Sequence, residues 1–308
     1  MKELLNILQR KGAYAFLVKD KAIFSGMGIY GEIDMDFSVE KPLQVTSDLI
    51  YKVLEIQDGK LNFKRDKLIY KAGNLEAFMP CVESESLPDE IEIDNKIYFS
   101  EDTLGKMIKV ANILKKFTSD ISYIDISPEF LALGNDSVYA EIKPDYIDFD
   151  KEIKRLIINT DELIIPPNYF SIAKFSDVWV GHITAERGFV SYIIGSEAEA
   201  DFYKKIDGIK SLKRFICKVR IPYKDIKLLT SLSRIETLTL EKNYLINEYP
   251  EIKLLCEIEG KPNGTYILPA IIFNISPDND YIEFLICEGN VAYLETRDAK
   301  IWTAIGNL

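Results

Sequence analysis

One unit recurs six times along the chain: a short alternating apolar run, a tight polar turn, and a second such run. The instances are FLVKDKAIFSG from Phe16, LNFKRDKLIYKAGN from Leu61, YIDISPEFLALGN from Tyr123, WVGHITAERGFVSYIIG from Trp179, TLTLEKNYLIN from Thr237 and EFLICEGNVAYLET from Glu283. They fall at intervals of roughly fifty residues, which is the spacing of a repeat architecture. A hairpin cannot bury its apolar face alone, so each copy needs a covering element from the residues between hairpins.

Those intervening residues read as helices. MKELLNILQRK precedes the first hairpin, and TSDLIYKVLEIQD, with Ser47 or Asp48 as cap, precedes the second. FSEDTLGKMIKVANILKKF, residues 99–117, precedes the third, with Ser100 as cap and Glu101 and Asp102 at the positive end of the helix dipole. At 100° per residue Leu104, Met107, Ile108, Ala111 and Leu114 make one apolar face, with Lys106, Lys109, Asn112 and Lys116 opposite. IPYKDIKLLTSLSRI, with Pro222 near its first turn, precedes the fifth hairpin. PPNYFSIAKF and LPAIIFNI are the shorter candidates before the fourth and sixth. Strand-like lead-ins (KPLQV, NKIYF, RLIINTDELII and FICKVRI) stand ahead of several helices.

The expected fold is therefore α+β: six βαβββ-like repeats in three pseudo-symmetric domains, with helices on one face of antiparallel sheets. The domains are expected at 1–88, 89–205 and 206–308, joined by ESESLPDE and by the charged stretch SEAEADFYKKIDGIKSLKR. A chain of 308 residues is long enough for two or three such cores. The four cysteines, Cys81, Cys217, Cys256 and Cys287, form no CxxC pair, and each sits among strand-like residues, as buried free thiols of a reducing cytosol would. No apolar run approaches the ~18 residues of a membrane span, and the N-terminus has no signal-peptide core, so a cytoplasmic location is expected.

Catalytic chemistry is not legible. His182, the only histidine, has no HxxxH companion and no GxSxG serine to serve. GMGIYG, Gly26–Gly31, matches a dinucleotide loop only in letters, because it lies between strands. DYIDFDKE and PDND could hold magnesium in a nuclease, yet both read more simply as solvated loops. No cofactor is expected, and no enzymatic activity.

With 49 acidic and 38 basic residues the chain carries a net charge of −11, so any surface for nucleic acid must be local. Six strand–helix–strands repeats on an acidic chain with basic helices resemble the DNA polymerase sliding clamps, in the three-domain form of bacteria and some of their viruses. The resemblance spans the whole chain. It implies a non-catalytic processivity factor: two chains closed head to tail, helices lining a hole for duplex DNA, sheets forming the outer wall. Lys2, Arg10, Lys11, Lys52, Lys106, Lys109, Lys116, Lys174, Lys224, Lys227 and Arg234 would then face DNA phosphates, without reading sequence.

The resemblance further implies a DNA polymerase and a clamp loader as partners, and a peptide pocket near the last domain. Matching repeats places Asp136, Ser137, Val138 and Tyr139 on one wall, with Trp302, Ala304, Ile305 and Leu308 on another and Tyr266 and Leu268 beside them. The turn GNDSV departs from the Gly-His-Arg-Leu-like run usual there, and the first repeat begins directly with a helix. The short chain fits a virus-encoded or diverged member. Ring closure would join GAYAFLV or IDMDFS to KIWTAIGNL, or to a neighbour near the end, through open sheet edges. A β-rich adaptor protein, an acidic DNA mimic and a magnesium nuclease are the alternatives.

Overall fold

A computed structural model describes residues 1–56, 59–89, 93–117, 120–149, 153–160, 163–166, 169–212, 214–232, 236–248, 250–274 and 280–307. They form two compact units: Met1–Glu101 with Pro166–Gly195, and Asp102–Ile165 with Ser196–Leu308.

In the first unit, helix α1 (Lys2–Arg10) buries Leu4, Leu5, Ile7 and Leu8, and helix α2 (Leu49–Ile56) buries Ile50, Tyr51, Val53 and Leu54. Gly12, at φ +66°, ends α1 by donating to the Gln9 carbonyl, a backbone conformation that favours glycine. Ser47 Oγ accepts from Leu49 N at 3.3 Å and caps α2, as expected. Tyr51 fixes α2 to the sheet: its ring stacks on Phe24 at 5.4 Å and its hydroxyl donates to the Ala13 carbonyl. Burial pushes that hydroxyl's pKa up to about 12.

The strands of this unit run in the order 94–99, 170–175, 178–185, 188–197, 29–45, 14–26, all antiparallel. A hairpin sheet of 60–64, 67–72 and 75–83 joins at residues 81–83, which pair with 43–45. Five of the six expected hairpins stand where the turn residues put them; in the first, KDK is an irregularity within strand Tyr14–Gly26, at Lys19 with φ +51°. GMGIYG is a strand-to-strand turn, as read.

The second unit holds helix α3 (Glu101–Phe117, from Asp102), helix α4 (Ala200–Lys210) and helix α5 (Tyr223–Leu232). Nine strands follow one another in the order 156–160, 123–126, 131–134, 138–142, 299–304, 291–295, 281–287, 215–222, 257–260. A second sheet runs 252–255, 244–247, 237–241, 266–269, 306–307.

Two expected helices differ. PPNYFSIAKF is the strand Phe170–Phe175 over its described residues: Phe170, Ile172 and the turn at Ser176–Asp177 suit a hairpin that pairs on both sides. LPAIIFNI gives only the 3-10 turn Ala270–Phe273 after the strand Tyr266–Pro269. Conversely, the charged stretch read as a join contains α4. Its acidic start at Asp201 and the apolar spacing Phe202, Ile206, Ile209 specify a helix.

The repeats obey one pairing rule at their joins. The third strand of one hairpin group, Ile29–Ile33, pairs with the last strand of a later group, 188–192. The same relation joins 138–142 to 299–303. By this rule the strand Ile252–Leu255 and residues 75–80 should each have such a neighbour, and among the described residues each is paired on one side only. Of the expected closing strands, 299–304 is paired on both sides and 29–33 lies between two strands, while 15–17 of GAYAFLV pairs on one side only among the described residues.

Candidate nucleic-acid interface and partner pocket

The helices carry the cations. On α1 and α2, Lys2 and Lys52 share one carboxylate, Glu55, at 3.3 and 2.9 Å, and the two ammonium groups hold its pKa below the usual range. Arg10 lies exposed in the last turn of α1, and Lys11 sits 5.8 Å from the Tyr192 ring centroid. On α3, Lys109 and Lys116 are exposed, Lys109 within 3.7 Å of Asp298. On α5, Lys224 and Lys227 are exposed, with Lys227 4.8 Å from the Tyr223 ring centroid.

Two candidates stand elsewhere. Lys106 is largely covered and turned aside, 3.0 Å from Asp145 and 3.2 Å from the Lys143 carbonyl. The buried Thr103 holds that loop against α3 by accepting from Asp145 N at 3.1 Å, which keeps the acid beside Lys106. Lys174 is exposed on a strand, not on a helix. Arg234 lies outside the described residues, as does Leu308.

Six of the pocket candidates come together. Asp136, Ser137, Val138, Tyr139, Trp302 and Ala304 line a cavity of about 50 Å³. Asn135 shapes the turn that brings them there: its side-chain oxygen accepts from Ser137 N at 2.9 Å and Val138 N at 3.0 Å. Tyr266 and Leu268 are instead buried in the second sheet, and Ile305 is buried with its N–H on the Asn290 carbonyl. Ile209 of α4 and Val291 complete the lining, and Lys205 reaches Asp136 at 3.2 Å across its edge. The reading of this segment as a charged join hides Ile209; the helical spacing of Phe202, Ile206 and Ile209 is the available signal.

An ion network seats α4. Arg155 donates to both oxygens of the fully buried Asp125, at 2.9 and 2.7 Å, and to Asp207 of α4 at 2.6 Å. Tyr139 donates to the same Asp125 at 3.1 Å. Tyr203 accepts from Ile157 N at 2.8 Å, so the helix is tied to the sheet by charge and by backbone.

The His182 ring nitrogens meet Ser191 Oγ at 2.9 Å and Thr184 Oγ1 at 3.1 Å, both hydroxyls on the same ladder. The described residues hold no cluster of three or more His, Cys, Asp or Glu that could bind a metal. Asp145 is engaged by Lys106, and residues 150–152 and 277–279 of the two acidic runs lie outside the described residues. All four cysteines are free and buried; burial pushes the Cys217 and Cys256 thiols up to about 11. No described helix is long and apolar enough to cross a membrane.

Helices over antiparallel hairpin repeats, joined by a repeated third-strand-to-last-strand pairing, make this the DNA sliding-clamp fold. Among solved structures, the chain is similar to the DNA polymerase III beta subunit of Thermotoga maritima, at 13% identity and a TM-score of 0.69 over 100% of this chain and 97% of that one. A putative DNA polymerase III beta subunit from Eubacterium rectale matches at 12% identity and a TM-score of 0.69, over 100% and 96%. The Helicobacter pylori beta clamp bound to a DNA ligase peptide matches at 15% identity and a TM-score of 0.65, over 100% and 98%. No family model matches the chain, and no curated protein matches it in sequence.

Proposed function

We propose that this chain is a DNA polymerase sliding clamp: a non-catalytic, cytoplasmic processivity factor that encircles duplex DNA as a head-to-tail dimer. The observation that carries the reading is the pairing rule. It leaves two edges, 75–80 in the second repeat and 252–255 in the fifth, and a second copy offers each its missing neighbour. Apolar side chains cluster at both: Phe78 is 54% exposed beside Val82, and Leu255 is 58% exposed. Leu228 and Leu232, one turn apart on α5, are each 61% exposed. The domains would then be 1–88, 89–205 and 206–308, with the clamp loader opening one interface.

In such a ring the exposed lysines of α1, α2, α3 and α5 would meet phosphates and confer a salt-dependent, sequence-blind attraction. The Helicobacter structure holds a DNA ligase peptide. By analogy the cavity beside Trp302 would take the anchor side chain of a polymerase or ligase peptide. At about 50 Å³ it admits little more than one small side chain without adjustment of α4.

Two variants test the reading in one assay of retention on circular duplex DNA and polymerase stimulation. Replacing Lys109, Lys116, Lys224 and Lys227 with glutamate should abolish both while the protein stays dimeric. Ala304→Trp, which fills the cavity, should abolish stimulation alone. Full activity of both variants would refute the proposal.

A further inference from the structure

The fold contains a further open edge, at strand 60–64, which ring closure would not use. In two of the three pairs of repeats, the first strand of the second hairpin group is covered by an antiparallel strand that leads into a helix. The strand 94–99 covers 170–175, and 215–222 covers 281–287. The equivalent strand of the first pair, Lys60–Lys64, pairs with 67–72 and with nothing else among the described residues. The long strand Ile29–Val45 passes close to it without joining the ladder.

Packing records the missing cover. Phe170 and Phe284, on the core faces of the covered strands, are each 1% exposed. Phe63 shares the core face of its sheet with the buried Leu68, Tyr70 and Met79, yet is 38% exposed, and Leu61 beside it is only half-buried. Charge sets the chemistry of what would fit. On the covered strand 281–287, Glu283 meets Lys218 at 2.9 Å and Arg220 at 3.0 Å, both on the covering strand. The open edge has the opposite net sign: Lys60 and Lys64 on the strand, then Arg65, Asp66 and Lys67 at the turn.

We infer that strand 60–64 is a β-addition site for a protein segment of alternating acidic and apolar residues. The segment would pair antiparallel, its apolar side chains would cover Leu61 and Phe63, and its acids would face Lys60 and Lys64. The site is distinct from the proposed ring contact, which would use the edges 75–80 and 252–255 and not the edge 60–64.

The chain's own covering strand supplies the probe. A synthetic peptide of residues 215–222 carrying Lys218→Glu and Arg220→Glu should bind the full-length protein, and backbone amides 60–64 should gain protection from hydrogen exchange. The unaltered, basic peptide should bind at least tenfold more weakly. A protein variant with Lys60→Glu and Lys64→Glu should reverse that order, a result that loss of folding would not mimic. Equal binding of both peptides, no binding at millimolar concentration, or protection gained elsewhere would overturn the inference. So would strand 60–64 protected in the peptide-free protein and exposed on dilution, since a second copy would then be its occupant.

Discussion

Leu232→Asp combined with Leu255→Asp should convert the protein from a dimer to a monomer at micromolar concentration. Both side chains are more than half exposed in the isolated chain, so the substitutions disturb little of its own core. In the closed ring they would stand at the contact with strand 75–80 of the second copy. Each aspartate would then be a buried charge without a partner. A dissociation constant raised at least a hundredfold corresponds to about 2.8 kcal/mol, within the effect of losing one or two central interface anchors. Sedimentation or light scattering reads the result, and an unchanged circular dichroism spectrum confirms the fold. A variant that stays dimeric would place the interface elsewhere.

Arg155→Ala should destabilise the second unit more than any surface substitution. Asp125 is fully buried, and Arg155 supplies two of its hydrogen bonds. Removing the guanidinium leaves a buried carboxylate with the Tyr139 hydroxyl as its donor, at a cost of about 3–5 kcal/mol. Asp207→Asn removes only the exposed arm of the network and should cost under about 1 kcal/mol. Asp125→Leu with Arg155→Met removes both buried charges together and should recover most of the loss. Denaturant unfolding of the three variants distinguishes these outcomes; equal losses for Arg155→Ala and Asp207→Asn would show that burial of Asp125 is not the source. Because α4 is held by this network and contributes Ile209 to the cavity, the Arg155→Ala protein should also lose that wall of the cavity.

Much of this architecture was legible because turns and periodicity are local. KRDK, SPEF, AERG, EKN and EGN each mark a hairpin where one is found, and α1, α2, α3 and α5 follow from apolar spacing and caps. What failed depends on partners distant in sequence. Phe170–Phe175 is a strand because 94–99 and 178–185 flank it, and nothing within PPNYFSIAKF announces those neighbours. Strand 299–304 is unavailable as a closing edge for the same reason: only the ladder shows that it already pairs with 138–142. Lysine positions were half legible. Lys109 and Lys116 lie open on α3 as the helical angle requires, whereas Lys106 is diverted by Asp145, a residue 39 positions on. In the pocket, GNDSV and the Trp302 strand met as repeat matching implied, while Tyr266 and Leu268 went to a different sheet.

The measurement closest to the central claim is an image of the purified particle by electron microscopy. The account predicts two chains in a closed annulus, with strand 252–255 of each copy beside 75–80 of the other. It also predicts Lys109, Lys116, Lys224 and Lys227 turned toward an opening wide enough for duplex DNA. A monomer, a particle with no opening, or those lysines on the outer wall would contradict it.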